Sequence, residues 1–191
     1  MSARDQIIET TCELLELQGY HATGLSQIIK DSGSPKGSLY YYFPGGKEEL
    51  AVEAIRQAGA IVTQRIHANL ATVADPVEAI RTFIRRIAEQ VELSGFRKGG
   101  PITTIAMETA STNERLREQC YRVYNSWQQE FANKLMQCGM AEARALRLAV
   151  LMIAALEGGI ILCRTSRSRV PLEDVAEEIA LLLTATVRPS G

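Results

Sequence analysis

Apolar positions recur along this chain at intervals of three and four, the spacing that lines one face of an α-helix. Ile7, Ile8, Thr11, Leu14 and Leu15 give a first helix its inner face, and Gly19 ends it. Leu25, Ile28 and Ile29 mark a short second helix closed by Gly33. Asp75-Pro76-Val77-Glu78 is a helix start, with Asp as N-cap, Pro at the first helical position and Glu three residues after the cap. Val77, Ile80, Ile84, Ile87 and Val91 follow it at 3-4-3-4 spacing. Ser111 and Glu114 have capping-box spacing ahead of Leu116, Cys120, Tyr124, Trp127, Phe131 and Leu135.

A long helix from near Gly46, a shorter one over 102–109, an apolar one over 141–163 and a last one from Pro171 complete the pattern. No strand, repeat or low-complexity tract interrupts it. The expectation is an all-α chain of about nine helices. A small N-terminal unit covers 1–45, and a larger helical bundle covers 46–191. The run from Ala145 to Cys163 is long enough to consider as a membrane span. Arg147, Glu157 and Gly158-Gly159 make it read instead as a helix buried between other helices.

One stretch resists simple assignment. Between Ser32-Gly33-Ser34-Pro35 and Pro44-Gly45-Gly46 lies Lys36-Gly37-Ser38-Leu39-Tyr40-Tyr41-Tyr42-Phe43, short enough for a strand or two helical turns. Ser34 is a possible cap, and Pro35 suits a first helical turn. At about 100° per residue, Leu39 and Phe43 share one face while Gly37, Ser38 and Tyr41 point the other way. Two residues anchor the helix, and the tyrosines face outward. Lysine, glycine, a hydroxyl and tyrosines on one outward face suit a phosphate-lined groove. Short helix, tight turn, second helix is helix-turn-helix geometry. The alternative is an amphipathic helix with tyrosines half-buried at a domain junction.

Charge sharpens this reading. The chain of 191 residues has a net charge of −1 and is 46% hydrophobic but only 6% aromatic, so overall charge draws it to neither nucleic acid nor membrane. Residues 1–57 carry a net charge of −3, while 25–47 alone is +2. DNA affinity then rests on a few phosphate contacts supplemented by hydroxyl and backbone bonds. Cys12, Cys120, Cys138 and Cys163 lie far apart, as free thiols in a reducing cytoplasm. With only His21 and His67, no HExxH, no P-loop and no nucleophile elbow, the expectation is no enzyme, no metal and no cofactor. The N-terminus carries Arg4, Asp5 and Glu9 and reads as no signal peptide; a cytoplasmic protein without a membrane partner is expected.

The residues Gly19-Tyr20, Thr23, Ile28-Ile29, Ser32-Gly33, Lys36 to Phe43 and Lys47-Glu48-Glu49-Leu50 resemble the N-terminal domain of TetR-family repressors over roughly residues 3–55. The Pro44-Gly45-Gly46-Lys47 turn, Gly99-Gly100-Pro101 and Gly158-Gly159 with Arg164 and Ser166-Arg167-Ser168 resemble the LmrA/YxaF-like branch. Three features depart from the family pattern: Pro35 stands where Ser or Thr is usual, moving the cap to Ser34; Leu15 replaces a common Phe; the turn before Lys47 is one residue longer.

The resemblance implies a division of labour. Lys36, Gly37, Ser38 and Tyr40 face base edges, and Thr23, Tyr41, Tyr42 and Lys47 grip phosphates of a double-stranded DNA operator. Lys47 also lies at the positive start of the fourth helix, although a solvated lysine paired with a glutamate gives the same sequence. Reading a palindromic site takes two copies, so a homodimer is expected. Ala154, Ala155, Gly158, Gly159, Ile179, Leu182 and Leu183 are its candidate interface, or simply monomer core. The resemblance further implies a small-molecule effector within the bundle. Phe83, Ile87, Val91, Phe96, Met107, Tyr121, Tyr124, Trp127, Phe131 and Met152 are candidates to line its pocket, or equally plain core; their chemistry suits a planar, mostly apolar aromatic. Glu157 has three open readings: pairing with an arginine, facing water near a two-fold axis, or reaching a ligand. Three functions stay open: a ligand-released repressor, an activator or co-repressor-dependent regulator of the same fold, and a ligand- or partner-binding helical protein without DNA function.

Overall fold

The computed structural model describes residues 2–187, and among these it contains nine α-helices and no strand. They are α1 (Ala3–Ala22), α2 (Leu25–Ser32), α3 (Lys36–Tyr42), α4 (Gly46–Ala71), α5 (Pro76–Leu93), α6 (Thr103–Thr109), α7 (Glu114–Gln137), α8 (Glu142–Ser166) and α9 (Val170–Val187). The all-α expectation holds. The opening ambiguity resolves as helix: α3 runs over seven residues, with Leu39 and Phe43 buried as its anchors.

The helices gather into two compact units. One comprises the chain up to Ile61 together with Gly100–Val123, and the other comprises Val62–Gly99 and the chain from Tyr124 onward. This grouping differs from a division at residue 45. The first unit takes in the start of α4 and all of α6, because α6 packs on α1. Its core is aliphatic, built from Ile7, Ile8, Leu15, Ile28, Leu39, Leu50 and Ile55, with Ile102, Ile105 and Leu116. The second unit packs α5 and α8 against α9, with Phe83 and Phe131 edge to face at 5.6 Å.

The helix ends follow local chemistry. Asp75 accepts from the N–H groups of Val77 and Glu78 at 2.8 and 3.0 Å, with Pro76 at the first position. Gly33 closes α2 in the left-handed region at φ 63°. Gly19, at φ 80°, breaks α1, and the chain closes one more turn before Thr23. Two expected caps are corrected. α7 is capped by Asn113, whose side-chain oxygen accepts from the Leu116 N–H at 2.9 Å, so Ser111 and Glu114 form no capping box there. Ser34 does not cap α3. Pro35 takes the cap position with no side-chain bond, and the Ser34 hydroxyl is buried without a partner.

The apolar helix α8 is also corrected. It is long and apolar enough to cross a membrane by length and composition alone. It is not buried on all sides, however. Ala145, Leu148, Ala149, Met152, Leu156 and Ile160 face the core, while Val150, Leu151, Ile161 and Leu162 are exposed.

Candidate nucleic-acid interface

The site begins with what α3 cannot hide. Seven helical residues bury Leu39 on one side, so the remaining aromatics must lie on the flanks and the outer face. Tyr41 is 80% exposed, Tyr40 48% and Tyr42 37%, with Lys36 and Gly37 exposed beside them and Ser38 half-buried. The Tyr41 and Tyr42 rings meet edge to face at 5.1 Å, which restrains both without covering them. Such rings, with hydroxyls at their tips and a lysine and glycine alongside, present donors and flat apolar faces to a groove.

Lys47 stands one residue into α4. Its ammonium lies 4.3 Å over the Tyr20 ring centre. Burial lowers the Lys47 pKa, and the charge of Glu108 partly restores it. Arg4 and Arg56, the two arginines of residues 1–61, are both engaged by Glu53 at 2.8 Å. Hydrogen bonding from Arg56, with a smaller contribution from Arg4, holds the Glu53 carboxyl at about 2. The cations left on this side are therefore lysines, as the +2 segment foreshadowed.

Thr23 occupies a different place from the expected phosphate grip. It is only 1% exposed. Its hydroxyl donates to the Gly19 carbonyl at 2.7 Å and accepts from Gln18 Nε2 at 3.3 Å. The break at Gly19 leaves that carbonyl without its helical partner, and the nearest hydroxyl closes on it. Thr23 shapes the turn between α1 and α2 and offers DNA no free hydroxyl.

The candidates for the effector pocket divide. Phe83, Val91, Trp127, Phe131 and Met152 are buried in the second unit, with Ile87, Phe96 and Tyr124 half-buried there. Tyr124 and Trp127 meet edge to face at 5.3 Å. Met107 and Tyr121 do not join them. They belong to the first unit and are 76% and 62% exposed. α6 buries Ile105 and Thr109, which turns Met107 outward; α7 buries Cys120 and Val123, which leaves Tyr121 outside. A separate surface cleft of the second unit is lined by Arg85, Glu89, Arg169, Glu173, Asp174 and Glu177, several of them ion-paired, and has no chemistry for an apolar ligand.

The dimer candidates divide too. Gly159, Ile179 and Leu183 are buried within the chain's own core, Gly159 because a side chain there would meet Leu172. Ala154 is exposed, and Ala155, Gly158 and Leu182 are half-buried. The outward stripe on α8 runs Val150, Leu151, Ala154, Gly158, Ile161 and Leu162; sequence reasoning found only Ala154 and Gly158 of it and missed the exposed Leu181 that joins it from α9. Its spacing of 1-3-4-3-1 was legible as a second helical face.

Similarity to known proteins decides what this architecture is. Residues 7–54 match the model of bacterial regulatory proteins of the tetR family, and residues 76–178 match the C-terminal domain of LmrA/YxaF-like transcriptional regulators. The chain belongs to the TetR family. YxaF of Bacillus subtilis, an HTH-type transcriptional regulator, is 47% identical over 95% of both chains. LmrA of the same organism, also an HTH-type transcriptional regulator, is 40% identical over 95% of this chain and 96% of its own. In fold, a crystal structure of the regulatory protein TetR from Rhodobacter sphaeroides superposes with a TM-score of 0.83 at 24% identity, covering 93% of this chain and 97% of that one. This TetR-family chain is thus a DNA-binding transcriptional regulator and not an enzyme. The exposed tyrosine face lies inside the matched N-terminal region, and α8 lies inside the matched C-terminal one.

Proposed function

We propose that the protein is a cytoplasmic homodimeric repressor that binds a palindromic operator and leaves it when a small, mostly apolar aromatic ligand enters the helical bundle. The observation that carries the DNA half is α3: two buried anchors and three exposed tyrosines on one short helix. Lys36, Gly37, Ser38 and Tyr40 read base edges, while Tyr41, Tyr42 and Lys47 hold phosphates. Support for the dimer comes from the aliphatic stripe on α8, which water leaves unfavourably exposed in a single copy. Two-fold pairing presents two α3 helices to successive major grooves about 34–36 Å apart.

The effector reading rests on the rings of the second unit, where Phe83, Phe131, Tyr124 and Trp127 supply aromatic faces. Ligand must favour an arrangement in which the paired α3 helices no longer match the groove spacing; a coupling of about 1–3 kcal/mol is typical. α4 is the natural lever, since this one helix carries Lys47 at its start and continues into the second unit. Trp127 is the only tryptophan, so its fluorescence reports the bundle interior directly. Titration of planar aromatic compounds should quench or shift it, and the same compounds should release bound operator. Compounds that change Trp127 emission without releasing DNA would argue against ligand release.

A further inference from the structure

We propose that Glu108, on α6, is a positioning residue for the DNA face: it fixes the turn between α1 and α2 and, through that turn, the seat of Lys47. The inference rests on the DNA-binding reading and goes beyond it in assigning work to a residue outside the helix-turn-helix. The break of α1 at Gly19 releases the N–H groups of Tyr20 and His21 from the helix. Glu108 Oε2 takes both, at 2.7 Å from Tyr20 and 3.1 Å from His21. Gly19 is favoured here by its backbone conformation and by the close approach of Glu108. Its φ of 80° disfavours any side chain, and a Cβ there would collide with the Glu108 carboxylate.

The rest of the turn is bonded internally. Thr23 closes on the Gly19 carbonyl, the Thr23 N–H on the Tyr20 carbonyl at 3.2 Å, and Gln18 Nε2 on the Ala22 carbonyl at 3.0 Å. Glu108 is thus a carboxylate from 88 residues away that ties this turn to α6. Tyr20 is the residue that passes the constraint on, because Lys47 rests over its ring. Releasing the turn lets Tyr20 move and takes the floor from under the one lysine assigned to phosphate at the start of α4. The carboxylate also sets a negative charge in the field of that lysine, so its charge and its hydrogen bonds act in opposite directions on DNA affinity.

The test uses the full-length protein, a duplex it selects from a random-sequence library, and the variants Glu108→Ala and Glu108→Gln. Amide hydrogen exchange at Tyr20 and His21 reports the clamp without reference to DNA. Glu108→Ala should speed exchange at both amides and weaken operator binding about tenfold to hundredfold, the loss expected for a charged acceptor of two N–H groups. Glu108→Gln keeps an acceptor oxygen and removes the charge. It should restore slow exchange and bind operator more tightly than wild type, a gain that holding the turn alone would not predict. Glu108→Ala that frees both amides yet binds operator like wild type overturns the proposal, as does Glu108→Gln with slow exchange and binding as weak as Glu108→Ala. A wild-type chain that selects no duplex overturns the DNA reading and this role with it, while the exchange data still separately report whether the clamp exists.

Discussion

Among the surfaces that leave bulky side chains in water, those of α3 and α8 differ in kind. On α3 the exposed residues are tyrosines beside a lysine, a glycine and a serine. On α8 they are Val150, Leu151, Ile161 and Leu162, with Ala154 and Gly158 between them. A tyrosine keeps a hydroxyl for water or phosphate and an edge or face for a base, so its exposure costs little and suits a polar groove. An aliphatic stripe gains nothing from water and is satisfied by another apolar face. The same physical test therefore supports the proposed DNA contact at one surface and the proposed pairing of two copies at the other.

The largest effect is expected at α8. Val150→Glu with Leu162→Glu places charges across the stripe without touching the chain's own core. Analytical ultracentrifugation should then show a folded monomer, and operator affinity should drop by about a thousandfold, since paired half-sites no longer bind together. A double variant that stays dimeric would move the interface elsewhere.

Within α3, Leu39→Ala sharpens the contrast between anchor and face. Leu39 is fully buried, so its truncation should cost about 2–5 kcal/mol in denaturant unfolding. Truncating the exposed tyrosine two residues on should leave that midpoint nearly unchanged.

A smaller effect comes from the ion cluster beside these helices. Glu53 sits at about 2 in the folded protein against an ordinary 4.5, so it contributes stability above about pH 4.5, lost as the pH falls through 2. Its arginine partners are well exposed, which limits the contribution to about 1 kcal/mol. Glu53→Gln should therefore lower the melting temperature modestly at pH 7, and the difference from wild type should shrink as the pH approaches 2.

The smallest expected change is at Ser34. Its buried hydroxyl has no partner, so Ser34→Ala should be neutral or stabilising by less than about 1 kcal/mol, whereas a true helix cap would lose about that much.

Much of this was written locally in the chain. The α5 start at Asp75-Pro76, the left-handed stop at Gly33 and the anchor spacing of Leu39 and Phe43 depend on neighbours a few residues apart, and local chemistry set them. What escaped were choices made in three dimensions. Asn113 won the α7 cap over Ser111, and its amide also reaches Glu48 at 2.7 Å. Thr23 turned inward because the break at Gly19 exposed a carbonyl to it. Glu108 carries no motif at all; its partners lie 88 and 87 residues away. The second face of α8 was visible in the spacing, but mean apolarity hid it, since a helix apolar all round reads as buried.

The outward face of α3, with Lys47, is the proposed DNA face. The most direct measurement is fluorescence anisotropy of the purified protein on a duplex it selects from random sequence. Wild type would be compared with Tyr41→Ala/Lys47→Ala at two salt concentrations, with dimer mass and melting checked in parallel. Tight, selective binding by two subunits or a multiple of two is expected. The double variant should lose about a hundredfold or more with the dimer intact, and its salt slope should be lower by about one for each phosphate contact removed. A double variant that binds the selected duplex as tightly and as selectively as wild type would contradict the placing of DNA on this face.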